Sequence, residues 1–291
     1  MTVNTPPRPS DGLTRTTGHG PLRGLGGLTA AELRRWFPWR ALAFTLVSVG
    51  WVVGFFFVWL GPISYISSGP RLLLLLGNLF AVWSLLLLLM MVATAQGAMA
   101  NEIDDGTAAW AVAKPIGRPA FVLAKFLAAI PGVLVGAIVV PGVVARFILV
   151  DAESRGDTEF SAGEVLRVIN ETGRREEEFT TLPGLGRYVG SLLLIFAILV
   201  FVVALMILAG TLVSSRAAIF LIGVGVPGSM VVYGLAGPDA IVRYLPAGAF
   251  DSLIQSLADN PAPVLWPVVA TLLWSVASVG VAMWWFSRKE L

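Results

Sequence analysis

Apolar stretches of about twenty residues or more recur six times along this chain, and no other feature limits its fold so tightly. Crossing about 30 Å of hydrocarbon takes roughly 20 helical residues. Ala41–Leu60, Leu72–Ala95, Pro119–Val150, Tyr188–Val213, Ala217–Gly237 and Pro263–Phe286 meet that length. Inside lipid every backbone N–H and C=O must find a partner within the protein, so runs of this kind are expected to be helices. Only 13% of the 291 residues are charged, against about 25% in soluble domains. A chain with so little polar surface cannot cover itself in water. The expected fold class is an all-α integral membrane protein with about six transmembrane helices.

The same composition narrows the chemistry. There is no Cys, so disulfides, thiolate metal sites and thiol nucleophiles are excluded. The single His, His19, lies in a Gly-rich tail. The apolar runs carry no His-Glu-x-x-His and no Gly-x-Ser-x-Gly, which argues against a membrane-embedded hydrolase. Residues 1–28, rich in Pro, Gly, Thr and Arg, lack hydrophobic periodicity and read as a flexible cytosolic tail. Their glycines are not followed by the Lys-Ser/Thr pair of a phosphate-binding loop. Thr29-Ala30-Ala31-Glu32 has the spacing of a capping box, so a helix is expected to start there. With Arg34, Arg35, Trp36, Trp39 and Arg40 it reads as an interfacial elbow helix over 29–40, bent into the membrane at Pro38.

The third apolar run is too long for one crossing. From Pro119 to Val150 it measures roughly 48 Å at 1.5 Å per residue, so its start projects into water, and Pro131 and Pro141 are expected to kink it. Arg146, near its far end, is expected to snorkel outward and pair with Asp151 or Glu153. Residues 151–188 form a long acidic insertion, with a second capping box at Ser161 and Glu164 and its densest charge at Glu176–Glu178. Phe250, Leu253, Ile254 and Leu257 follow helical spacing and mark an amphipathic helix over 249–258 at the outer interface. Orientation follows from the cations. Arg34, Arg35, Arg40, Lys114, Arg118, Lys125, Arg216, Arg288 and Lys289 fall on one side of six crossings. The positive-inside rule then puts both termini in the cytosol, in a multi-pass protein of the inner (plasma) membrane.

One charged interruption stands out between the second and third runs, over residues 96–118. Asn101-Glu102-Ile103-Asp104-Asp105 continues the second run out of the membrane. Gly106 suits a helix end and Thr107 a new N-cap. A short helix over Ala108–Lys114 would show Trp110 and Val112, Pro115 would stop it, and Pro119 suits the first turn of the long third helix. The prediction is a stiff knob between two membrane helices.

The order Glu102-x-x-x-Gly106-Thr107, then Lys114-Pro115-Ile116-Gly117-Arg118, then Phe121 and Lys125, resembles the segment after the second span in type-2 permeases of ATP-binding-cassette (ABC) transporters. Gly117 stands where a hydroxyl residue is usual in that family. The resemblance implies an elbow helix, a knob acting as a coupling helix in the cleft of an ATPase subunit, and re-entrant helices before the last span. It implies a transmembrane permease subunit that pairs with a second permease subunit, identical or different. ATP and Mg would be held by a separate cytosolic ATPase, because this chain has no Walker sequence. The chain itself would be no enzyme and would hold no cofactor or nucleic acid. The implied coupling residues are Glu102, Asp104, Asp105, Gly106, Thr107, Trp110, Pro115 and Arg118. The near absence of ionisable residues within the spans points to an exported hydrophobic or amphiphilic substrate. The alternative is a non-transporting membrane anchor that recruits a partner through residues 151–188.

Overall fold

A computed structural model of the chain describes residues 20–59, 70–104, 117–154, 185–257 and 264–288. Among these the regular structure is entirely helical. Five helices are long and apolar enough to cross a membrane: Trp39–Val58, Arg118–Ile148, Tyr188–Leu212, Arg216–Gly234 and Leu265–Arg288. The expected second span falls on α3, Pro70–Ala95. Its described apolar part is the shorter stretch Val82–Ala95, so the expectation of about six stands against five full-length candidates.

The N-terminal helix begins earlier than its sequence suggests. Helix α1 covers Leu25–Trp36, so Thr29 lies inside it and caps nothing. The Thr29 hydroxyl is buried without a hydrogen-bond partner, and Glu32 is drawn away to a cation described below. The tail expected over 1–28 therefore includes structured residues from Gly20 onward. Pro38 falls in a π-helical stretch, Phe37–Ala41, that joins α1 to α2, Leu42–Trp59. Proline has no N–H for the helical ladder, and a wider turn absorbs the gap.

The long third helix solves the same problem in the same way. It runs as α5, Arg118–Gly132, a π-helical stretch, Val133–Val139, and α6, Val140–Ser154. Pro131 and Pro141 bracket the π stretch, and the Val140 N–H reaches back five residues to the Val135 carbonyl. The π stretch thus lies between the two prolines at which kinks are expected. The first and third spans meet there. A Cβ placed on Gly136 would stand 2.6 Å from the Ala41 backbone carbonyl oxygen, so the two backbones touch through a missing side chain.

Helix α7, Leu185–Leu212, is the central pole of the bundle. Leu194, Ile195, Ala197, Val202 and Ala204 are wholly buried. It packs most extensively on α11, Leu265–Arg288, and also on α3, on α8, Arg216–Ala236, and on α10, Ala247–Leu257. Ser215 caps α8, its hydroxyl accepting from the Ala218 N–H at 3.4 Å, and Pro227 is carried within that helix. A four-residue helix, α9, Asp239–Val242, leads into α10. The amphipathic helix expected over 249–258 is α10, but Ala247, Ala249, Phe250 and Leu253 are buried against the bundle. The polar insertion, with Ser161, Glu164 and Glu176–Glu178, lies for the most part outside the described residues.

Gly136→Val is expected to force the first and third spans apart and to cost about 1–3 kcal/mol, the usual penalty of overpacking. Gly50, whose Cβ position is open, is the control: Gly50→Ala should cost no stability and add up to about 1 kcal/mol, the usual gain of Ala over Gly within a helix. Thermal unfolding in a single detergent reads both.

Candidate functional site

Helix α3 passes through a turn at Gln96 into α4, Gly97–Asp104. Across residues 105–116, which lie outside the described residues, the chain re-enters as α5. Gly117 is its extended N-cap and Pro119 sits in its first turn, as expected for a residue that lacks a helical N–H. Arg118, Phe121 and Lys125 recur at helical spacing along α5. Glu32 and Arg35, three residues apart, share a face of α1.

These faces meet at Lys125, a cation in an otherwise apolar helix. Its ammonium donates to Glu102 Oε1 at 2.7 Å and to Glu32 Oε1 at 2.9 Å. Arg35 Nη1 donates to the same Glu102 oxygen at 2.9 Å. The lysine side chain is 5% exposed, Glu102 11% and Glu32 17%, while Arg35 is 69% exposed. Two carboxylates and two cations thus form a formally neutral set around a buried ammonium. Burying the ammonium or either carboxylate alone would be prohibitive, so these three hold one another in place.

The C-terminal end of α11 closes the site. Lys125 Nζ lies 5.0 Å from the centre of the Phe121 ring. Phe121 stacks on Phe286 at 5.8 Å with the planes 16° apart. Arg118 Nη1 donates to the Ser287 carbonyl at 3.3 Å. The two described flanks of the 96–118 segment are therefore joined to each other by Lys125 and Glu102, to the N-terminal helix by Glu32 and Arg35, and to the last helix by Phe121 and Arg118.

Of the residues singled out from sequence, Glu102 and Arg118 belong to this cluster. Asp104 ends α4. Asp105, Gly106, Thr107, Trp110 and Pro115 lie outside the described residues. Glu102 is turned inward, toward Lys125, with its side chain 11% exposed. Glu32 and Arg35 were not singled out as site residues, because their partners stand 93 and 67 residues away. One signal was available: Lys125, two turns into an apolar helix, demands a carboxylate partner. Far from this end, the Arg146 guanidinium lies over the Tyr188 ring, 5.9 Å from its centre, and the Tyr188 hydroxyl donates to the Gly142 carbonyl. Among the described residues no group of three or more His, Cys, Asp or Glu side chains is placed to hold a metal ion.

Lys125→Met is expected to destabilise the protein by about 3–5 kcal/mol, because it leaves two largely buried carboxylates short of a cation. Arg35→Ala, which removes a mostly exposed partner, should cost no more than about 1 kcal/mol. Adding Glu32→Gln and Glu102→Gln to Lys125→Met should recover much of the loss; denaturant unfolding of the set measures the coupling. Neither a family model nor a curated protein matches this chain.

Proposed function

We propose that this chain is the membrane subunit of an ATP-driven transporter, built like the type-2 ABC permeases that its 102–125 sequence resembles. The observation that carries the reading is the Lys125–Glu102 pair at 2.7 Å. It ties together the two helices that frame residues 105–116. A partner pressing on that segment would therefore move α4 and the long third helix as one body. Rigid-body motion of packed helices is the ordinary way a contact at one end of a bundle reaches the other.

In this reading a separate cytosolic ATPase, holding ATP and Mg, receives the segment in a cleft. Asp104, Asp105, Thr107 and Trp110 supply the contacts, and Gly106 and Pro115 set its turns. Glu102 and Arg118 fasten it from within. A second permease subunit completes the pathway, and both termini lie on the cytosolic side of the inner membrane. The spans are poor in ionisable groups, which suits export of a hydrophobic or amphiphilic substrate better than a proton-coupled carrier.

The test begins with the tagged protein, extracted from its native membrane in mild detergent with ATP and vanadate present. A stoichiometric ATPase should co-purify, and Trp110→Ala together with Asp105→Ala should release it. Lys125→Met, where it still folds, should keep the ATPase bound but lose transport-coupled hydrolysis. Recovery of this chain alone across several detergents would sink the reading.

A further inference from the structure

The residue that departs from the type-2 pattern, Gly117, has a structural reason. A Cβ there would lie 1.9 Å from the Pro21 carbonyl oxygen and 2.6 Å from its carbon. Both are backbone atoms, so no side-chain rotation could make room. The Gly117 N–H donates to the Arg23 carbonyl at 3.1 Å. The stretch that passes over Gly117 is itself shaped by turns: Arg23 N–H to the Gly20 carbonyl and Leu25 N–H to the Leu22 carbonyl, each 3.1 Å. Gly24, with φ at 80°, then turns the chain into α1 through a conformation that other residues rarely adopt. From α1, Glu32 reaches Lys125 at 2.9 Å.

We propose that residues 20–24 are a strap that buckles the exit of the 96–118 segment to the N-terminal helix. The strap holds the N-cap of the third helix and the ion cluster holds its second turn. Helix α1 and the start of α5 are thus fastened at two points and move as a unit. The consequence for coupling rests on the permease reading: motion received at 105–116 passes to the first span through α1, as well as to the second and third. The strap itself is a contact within this chain and does not depend on that reading.

The experiment uses the full-length protein in detergent and compares three forms: wild type, Gly117→Val, and a form with residues 20–24 replaced by a Gly-Ser sequence of the same length. Hydrogen exchange over 117–122 and timed trypsin cleavage after Arg23, the latter in wild type and Gly117→Val, are the readouts. A docked strap predicts slow cleavage at Arg23 in the wild type and about tenfold faster cleavage in Gly117→Val, the behaviour of a locally opened segment. Exchange over 117–122 should rise in both altered forms, while peptides of α7 stay unchanged. The linker form keeps the test decisive should Gly117→Val fail to fold. Unchanged exchange in the linker form, or unchanged cleavage in a folded Gly117→Val, would overturn the strap. Where an ATPase co-purifies, Gly117→Val should retain it and lower transport per ATP; full transport with an open strap would overturn the coupling role. Where none co-purifies, the permease reading falls and the cleavage and exchange results alone decide the strap.

Discussion

An ammonium ion held between two carboxylates, largely out of water, is the constraint from which one end of this molecule is built. Lys125 has a 5% exposed side chain, and such a cation is tolerable only with close anionic partners. The partners come from α1 and α4, so neither helix can move away without stranding a charge. A buried pair of this kind is a poor source of net stability compared with well-packed apolar side chains. Its effect is selective: it penalises arrangements in which the three segments separate. The exposed Arg35 contributes mainly by balancing the count, since a solvated guanidinium gains little from one contact.

The rest of the bundle is held by different physics. Between helices in lipid there is no hydrophobic driving force, and close van der Waals contact takes its place. The structure shows the consequences. Small residues sit where helices cross, as with Gly136 against Ala41 and Gly223 against Met206 and Val92. The pole helix α7 is buried along most of its length, with 72% of its apolar stretch inside the protein. Helix α8, at 17%, is chiefly exposed on the outside of the bundle. Hydrogen bonds between helices in this region include the Trp51 indole to the Leu79 carbonyl.

The fold was legible in the sequence to the extent that it depends on length and hydropathy. Spans on α2, α5–α6, α7, α8 and α11 follow from apolar runs long enough for a bilayer, and their ends shift by only a few residues. The amphipathic spacing of Phe250 and Leu253 located α10, although its apolar face packs on neighbouring helices. Local signals failed where a distant partner won. Thr29 and Glu32 have capping-box spacing, yet Glu32 turns to Lys125, 93 residues away, and the helix starts at Leu25. Pro131 and Pro141 marked where the helical ladder is interrupted, and a π stretch lies between them. The cluster was half legible: Glu102, Arg118 and Lys125 stand close in sequence, whereas Arg35 and Glu32 join them only through the path of α1. At Gly117 the sequence shows only that a hydroxyl residue is missing, because nothing in a sequence reveals that another backbone passes over it.

Two fastenings of opposite character therefore meet at the start of the third helix. The ion cluster is specific in charge and tolerant in shape, since an ammonium can swing among acceptors. The crossing at Gly117 is specific in shape and indifferent to charge, since it requires only that no Cβ be present. A hinge needs freedom in at least one of these respects, and here both are closed within nine residues, from Gly117 to Lys125. The π stretch over Val133–Val139 is the next place along the third helix where the backbone ladder departs from the α pattern. Bending along this helix is thus expected at the π stretch, where the third span meets the first at Gly136 and Ala41.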